Sequence, residues 1–124
     1  MGNMSTGVVV LAIASWIQVS GGAWVPTVDE LSTIRTELRP FVEQAAVAEH
    51  QQLPPWDTYT FQYQGQVEGG RRFVFVNALC SQHEPLADLR EELVLVFDGG
   101  PCYFNVKYDP AQRKFFDLQF NGEA

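Results

Sequence analysis

Between Val28 and Ala45 the apolar residues Val28, Leu31, Ile34, Leu38, Phe41, Val42 and Ala45 recur at helical spacing. Asp29, Thr33, Glu37, Arg39 and Glu43 fall off that stripe, so the stretch predicts an amphipathic helix with one face for a core. Its start is well marked. Thr27 can cap it and Glu30 stands three residues on, the arrangement of a capping box. Asp29 and Glu30 also sit where the helix dipole favours negative charge. Pro40 has no N–H and crowds the preceding turn, which predicts a kink or two abutting helices. The helix should end near Glu49–His50, ahead of Pro54-Pro55, and His50 reads as a residue of its last turn.

From Tyr59 the period changes to two. Tyr59, Phe61 and Tyr63 alternate with Thr60, Gln62 and Gln64, as in a half-buried strand. A turn region follows at Gly65–Gly70. Arg71 to Cys80 then carries Phe73, Val74, Phe75, Val76, Ala78 and Leu79, apolar on both faces, which predicts a central strand covered twice. The helix would cover one face. The mature N-terminus, a dimer partner or a ligand cavity would cover the other. Ser81 to Glu92 is a polar connection with a short helical turn around Pro85–Arg90.

Two strongly β-forming runs, Leu93–Phe97 and Cys102–Tyr108, flank Asp98-Gly99-Gly100-Pro101 and predict a hairpin with a pinched tip at the centre of the sheet. Asp109–Arg113 is a turn with Pro110 where a type I turn favours it. The last strand should turn Phe116, Leu118 and Phe120 inward and Phe115, Asp117 and Gln119 outward. The expected fold is α+β: one long kinked N-terminal helix packed on a curved, mostly antiparallel five-stranded sheet.

Met1 to Ala23 changes the picture of the N-terminus, because it holds no charged residue. Its apolar run Val8–Ile17 is shorter than the roughly 20 residues a spanning helix needs and suits the core of a signal peptide. Gly21-Gly22-Ala23 supplies small residues at the −3 and −1 positions of a cleavage site, although the first seven residues lack Lys and Arg. Residues 1–23 therefore read as a signal peptide and 24–124 as a single α+β domain, periplasmic or secreted, with no stable membrane span after processing. The alternative is an N-terminal strand or helix built into the core. With 124 residues there is room for one core and not two.

The net charge of −7 and pI near 4.6 argue against a nucleic-acid binder, which needs a basic face for phosphates. They argue equally against adsorption to anionic lipid. Cys80 and Cys102 are a disulfide candidate for an exported domain. Geometry leaves this open. In a plain meander the two would lie on opposite edges, roughly 20 Å apart, too far for bridging. If Ser81–Glu92 runs back along the sheet, the two strand ends coincide.

Candidate chemistry is sparse. Cys80 and His83, with Asp88 near, form a weak nucleophile pair, since Cys80 ends an apolar strand where an inert thiol is usual. Two His and two Cys show no zinc spacing, so no metal and no cofactor are expected. Asp98-Gly99-Gly100 precedes a strand and not a helix, so it is no dinucleotide fingerprint. Glu91-Glu92 would point to opposite faces of a strand, which is wrong for shared acid–base work. No catalytic residue is assigned.

A kinked helix followed by a curved antiparallel sheet resembles the cystatin-like architecture shared by cystatins and the cone-shaped NTF2-like domains. The cystatin inhibitory Gln-x-Val-x-Gly is only nearly met at Gln66-Val67-Glu68-Gly69, and Pro55-Trp56 lies before the first strand and not on a late hairpin. Protease inhibition is therefore not carried over. The run Asp98–Phe104, with Tyr108-Asp109-Pro110 and the ending Phe120–Ala124, is similar to a group of small exported bacterial proteins, a resemblance that implies an envelope setting and no activity.

The leading expectation is a non-catalytic binding or inhibitor-like module. Its recognition turns would be Val67, Glu68, Gly69 and Gly70 and Asp98, Gly99, Gly100 and Pro101, since rigid sheets place recognition on such turns. The partner would be a protein or small molecule of the envelope. Two other readings stand beside it. One is an NTF2-like cavity for a small apolar molecule, lined by Phe61, Tyr63, Phe73, Phe75, Phe104, Phe116 and Phe120. The other is a self-associating envelope component.

Overall fold

The computed structural model describes residues 15–80, 86–96 and 99–122. The strands are β1 (Ser15–Gln18), β2 (Thr60–Glu68), β3 (Arg71–Leu79), β4 (Tyr103–Asp109) and β5 (Lys114–Phe120). The helices are α1 (Val28–Ala48) and α2 (Leu86–Glu91). The strands form one open, uncurled sheet in the order β1-β2-β3-β4-β5, antiparallel except for the parallel pair β1 and β2. This is the expected α+β arrangement of one long helix on a five-stranded, mostly antiparallel sheet.

Thr27 and Glu30 close the capping box in both directions, at 3.0 Å and 2.8 Å. At the other end the helix stops at Ala48 with Glu49 as its cap, so His50, at φ 56, lies past the helix and not in its last turn as expected, and Gln51 N donates back to Ala46 O at 2.8 Å. The expected break at Pro40 is not seen, since Val28–Ala48 is one continuous helix. Pro40 and Thr36, whose carbonyl loses its partner, both lie on the exposed face, where water replaces the missing bond. Ile34, Leu38, Val42 and Ala46 are the buried positions, while Val28 is 86% exposed and does not belong to the core stripe.

The face of the sheet under α1 is aromatic. Tyr59, Phe61, Phe104 and Tyr108 are almost wholly buried with Val74, Val76, Ala78 and Val106. Their rings meet edge-on or tilted, as between Tyr59 and Phe104 at 5.2 Å, the arrangement aromatic quadrupoles favour. Trp16 of β1 stacks on Phe61 at 4.4 Å.

The second face answers what covers β3 a second time. Toward the Asn77–Leu79 end it is the chain from Leu89 to Val96, which lies across the sheet. Leu79, Leu89 and Tyr103 form a smaller core there, with Ile17, Val94 and Val96 against it. Leu93–Val96 is therefore not a strand, and the expected hairpin Leu93–Tyr108 does not form. The fifth strand is β1 instead. The β-forming composition of Leu93–Val96 reflects burial against a sheet face and not pairing in a ladder.

Gln62 fastens this cover. Its side chain is fully buried between β1 and β3, yet Nε2 donates to Leu89 O at 2.8 Å and to Glu92 O at 2.9 Å. Its Oε1 accepts from Val94 N and from Asn77 Nδ2, both at 2.9 Å. All four hydrogen-bonding positions of the amide are used. Asn77, opposite Gln62 on β3, also donates to Val94 O at 2.7 Å, and Asn121 Nδ2 donates to Val96 O.

With Leu93–Val96 out of the sheet, β3 and β4 become neighbours and their ends meet. Cys80 N donates to Cys102 O at 2.9 Å, the Cα atoms are 5.0 Å apart, and the two cysteines are bridged. The strands run as a meander, yet the two cysteines meet because Leu93–Val96 does not stand between β3 and β4; Ser81–Pro85 of the connection lie outside the described residues.

β5 departs from simple alternation. Its register with β4 shifts between Asn105 and Lys107, and Asp117 takes φ 52 at that point, so one extra residue bulges out opposite Val106. The bulge reverses the facing of the residues before it. Phe115 packs on Phe41 at 5.1 Å and on Tyr108 at 4.9 Å under the helix. Phe116 meets Phe73 at 6.2 Å on the opposite face. The expected inward Phe116 and outward Phe115 are thus exchanged, while Leu118 and Phe120 face the helix core as expected.

Two stability consequences follow from the cover and the bridge. Gln62→Leu leaves two carbonyls, one amide N–H and the Asn77 amide short of partners, and is expected to cost about 3 kcal/mol or more in urea unfolding. Amides of 89–96 should exchange with deuterium faster than in the native protein. Reduction of Cys80–Cys102, whose sequence separation is 22, is expected to lower stability by about 3 kcal/mol in paired denaturation curves with and without reductant. Native mass spectrometry after thiol alkylation should count no free thiol.

Candidate binding surface

The β2–β3 hairpin is nine residues long on each side, and its last pair is Glu68 with Arg71. Two residues remain for the reversal, Gly69 at φ 59 and Gly70 at φ 78. Positive φ at both positions is the type I′ turn that matches strand twist, and glycine meets it without strain. A Cβ at either glycine would touch nothing within 4 Å, so the tip stands clear of the rest of the chain. Val67 beside it is 49% exposed, a large apolar side chain on an open turn.

The base of this hairpin is braced from three sides. Arg72 lies over the Trp24 ring at 4.2 Å, and Trp24 Nε1 donates to Gln66 O at 2.9 Å. Arg71 pairs with Asp109, whose carboxylate is 5% exposed. Lys107 reaches Asp117 at 3.3 Å and Glu68 at 3.9 Å, and its ammonium sits over the rings of Phe73 and Phe116 at 5.2 Å and 5.9 Å. A tip held this way presents its side chains with little conformational entropy left to lose.

Asp109 joins the two hairpins. Its Oδ1 accepts from Ala111 N at 2.9 Å and Gln112 N at 3.1 Å, which starts the β4–β5 turn, while Oδ2 takes Arg71. The Gln112 amide, then Arg71 and the Ala111 amide, hold its carboxyl below the usual carboxylate range against the opposing effect of burial. The β4–β5 turn closes with Arg113 at φ 56.

Both hairpin ends therefore lie at the same end of the sheet, and five of the eight Lys and Arg residues gather there: Arg71, Arg72, Lys107, Arg113 and Lys114. Three carboxylates, Glu68, Asp109 and Asp117, are interleaved among them. With Asp29 and Glu30 of the neighbouring groove the carboxylates also number five, so this end of the sheet gathers charge of both signs. A small open groove of about 160 Å³ lies close by, lined by Asp29, Glu30, Thr33, Tyr108, Pro110 and Arg113. Its Glu30 is occupied with capping α1.

The other expected turn is placed differently. Gly99 takes φ 98 and Gly100 is buried, its amide donating to Gly122 O at 3.0 Å. Pro101 O accepts the Tyr59 hydroxyl, whose pKa burial pushes well above the ordinary tyrosine value. Gly99–Pro101 is thus tied into the fold beside the disulfide, whereas Val67–Gly70 projects. Asp98 and His83 lie outside the described residues. Cys80 is bridged, so it offers no thiolate nucleophile while the bridge stands. Among the described residues no group of His, Cys, Asp and Glu is placed to hold a metal, and no helix is long and apolar enough to cross a membrane.

The seven rings expected to line a cavity do not surround one volume. Phe61, Tyr63, Phe104 and Phe120 pack under α1, whereas Phe73 and Phe116 meet on the opposite face. Sequence reasoning missed Trp24, Arg72 and Lys107 as supports of the tip. No periodicity marks them, because each acts across the sheet. Compared with protein-family models, with curated proteins and with solved structures, the chain has no match in any of the three.

The Asp109 arrangement carries a pH dependence of definite sign. A carboxyl whose pKa is depressed by folding contributes stability above its unfolded value, and that stability is lost as pH falls through the folded value. Urea midpoints should therefore fall from about pH 5 downward more steeply in the native protein than in Asp109→Asn.

Proposed function

We propose that the protein is an exported, non-catalytic binding module that uses the β2–β3 hairpin end as its recognition surface. The observation that carries the proposal is Val67, half exposed beside a Gly-Gly reversal whose base is braced by Trp24, Asp109 and Lys107. A rigid scaffold that holds out an apolar side chain beside braced cations suits a recognition turn. Arg71 and Arg72 flank it, which favours a partner presenting an apolar residue next to carboxylates. The bridged cysteines support an oxidising compartment, in keeping with a periplasmic or secreted protein.

Substituting Val67→Asp puts a like charge in front of such a partner without touching the core. The comparison is Val47→Asp, at a still more exposed valine near the end of α1. In capture experiments from envelope extract, a partner held by the native protein and by Val47→Asp is expected to be lost at least tenfold with Val67→Asp. Retention by Val67→Asp at native strength would reject this surface.

A further inference from the structure

The second face of the sheet is covered over only part of its length. Gln62, Asn77, Asn105 and Gln119 stand opposite one another on β2, β3, β4 and β5 and form one row of amides across that face. The cover takes up the first two, which bond to the backbone of Leu89, Glu92 and Val94. The row continues past it. Asn105 is partly exposed and Gln119 exposed, and among the described residues neither side-chain amide has a hydrogen-bond partner.

Phe75 is the centre of the uncovered part. It alternates with Val74 and Val76 of the helix-side core, so its ring lies on the second face, between Gln64 and Lys107 of the neighbouring strands. Gln66 and Asn105 are its diagonal neighbours, about 7–8 Å away and within reach of a shared ligand. Phe75 is partly exposed and meets no other ring among the described residues, whereas Phe73 and Phe116 meet each other beneath the Lys107 ammonium. Gln66 Nε2 donates to Gln64 Oε1 at 2.9 Å, and Gln64 Nε2 to Ser20 O at 2.8 Å, which fixes both side chains and leaves Gln66 Oε1 open.

Charge decides what such a surface can hold. Lys107 is paired with Asp117 and Glu68, and Arg71 with Asp109, so a charged ligand would have to displace a group already in place. A wholly apolar ligand would bury the amides of Gln66, Asn105 and Gln119 without partners. A sugar ring meets neither obstacle. It carries no charge, its C–H face lies on an aromatic ring, and its hydroxyls both donate and accept, as primary amides do. We propose that the uncovered part of the second face binds a neutral saccharide, stacked on Phe75 with its hydroxyls bonded to Gln66, Asn105 and Gln119. The site is separate from the Val67–Gly70 tip and rests neither on that surface nor on export.

The test titrates the isotope-labelled full chain with cellotetraose, with the N-acetylglucosamine tetramer and with tetragalacturonate, followed by amide NMR. One of the two neutral tetrasaccharides is expected to shift the signals of Phe75, Asn105 and Gln119, and tetragalacturonate to bind about tenfold more weakly. Which neutral probe binds separates a plain glucan from an amino-sugar chain. Phe75→Ala is expected to weaken binding about tenfold, and Gln119→Ala, at an exposed position outside the core, about threefold. Val47→Asp, on α1, should bind as the native protein does. Absence of shifts with both neutral probes up to about 10 mM overturns the proposal. So do shifts confined to the tip or the helix side, and so does preference for tetragalacturonate. Undiminished binding by Gln119→Ala rejects the site even where Phe75→Ala fails to fold.

Discussion

The structure depends on how the amide of Gln62 is satisfied. A buried primary amide with an empty position costs of the order of 1–3 kcal/mol for each group left unpaired, so a half-satisfied glutamine inside this sheet would oppose folding. Complete satisfaction needs two carbonyls and two donors at once. Asn77 provides one donor from the facing strand, and the chain from Leu89 to Val94 provides the rest. The cover over the second face is consequently held at fixed points by side chains and not by a backbone ladder. This also accounts for the contact between Cys80 and Cys102, because only with Leu93–Val96 removed from the sheet can β3 and β4 lie side by side.

The elements that depend on local signals were legible in the residues. The capping box at Thr27 and Glu30, the buried positions Ile34, Leu38 and Val42, and the alternation of Tyr59, Phe61 and Tyr63 all follow from spacing alone. The errors lie where a distant group decides. Leu93–Val96 has strand composition, but its backbone partners are the side chains of Gln62, Asn77 and Asn121, which no local pattern displays. One signal was present: Asn77 interrupts an otherwise apolar run, and a polar residue there demands a partner across the sheet. The facing of Phe115 and Phe116 was misread for a related reason, since period-2 reasoning assumes unbroken pairing and one unpaired residue reverses it. Both candidate turns showed as Gly-rich, and only tertiary contacts distinguish a projecting turn from a tethered one.

Charge is distributed in the same economical way. The chain is acidic as a whole, yet its cations concentrate where two hairpins end together, and several have structural duties there. Lys107 rests its ammonium over two rings while it reaches two carboxylates, and Arg72 covers Trp24. An arginine or lysine committed to a ring still presents part of its charge to solvent. The end that braces the hairpin is therefore also the end where most of the molecule's cations gather.

The bulge at Asp117 has an effect on how copies of this protein meet. β5 is the last strand of an open sheet, and an unbroken last strand offers its free N–H and C=O groups to any passing chain. Here the run of free groups is interrupted halfway along by a residue twisted out of the pleat, and its carboxylate is exposed at that point. A second copy approaching β5 would have to break pairing at the interruption and bury a charge. Long, smooth, apolar borders are what allow sheets to polymerise, and the β5 border of this molecule is kinked and charged.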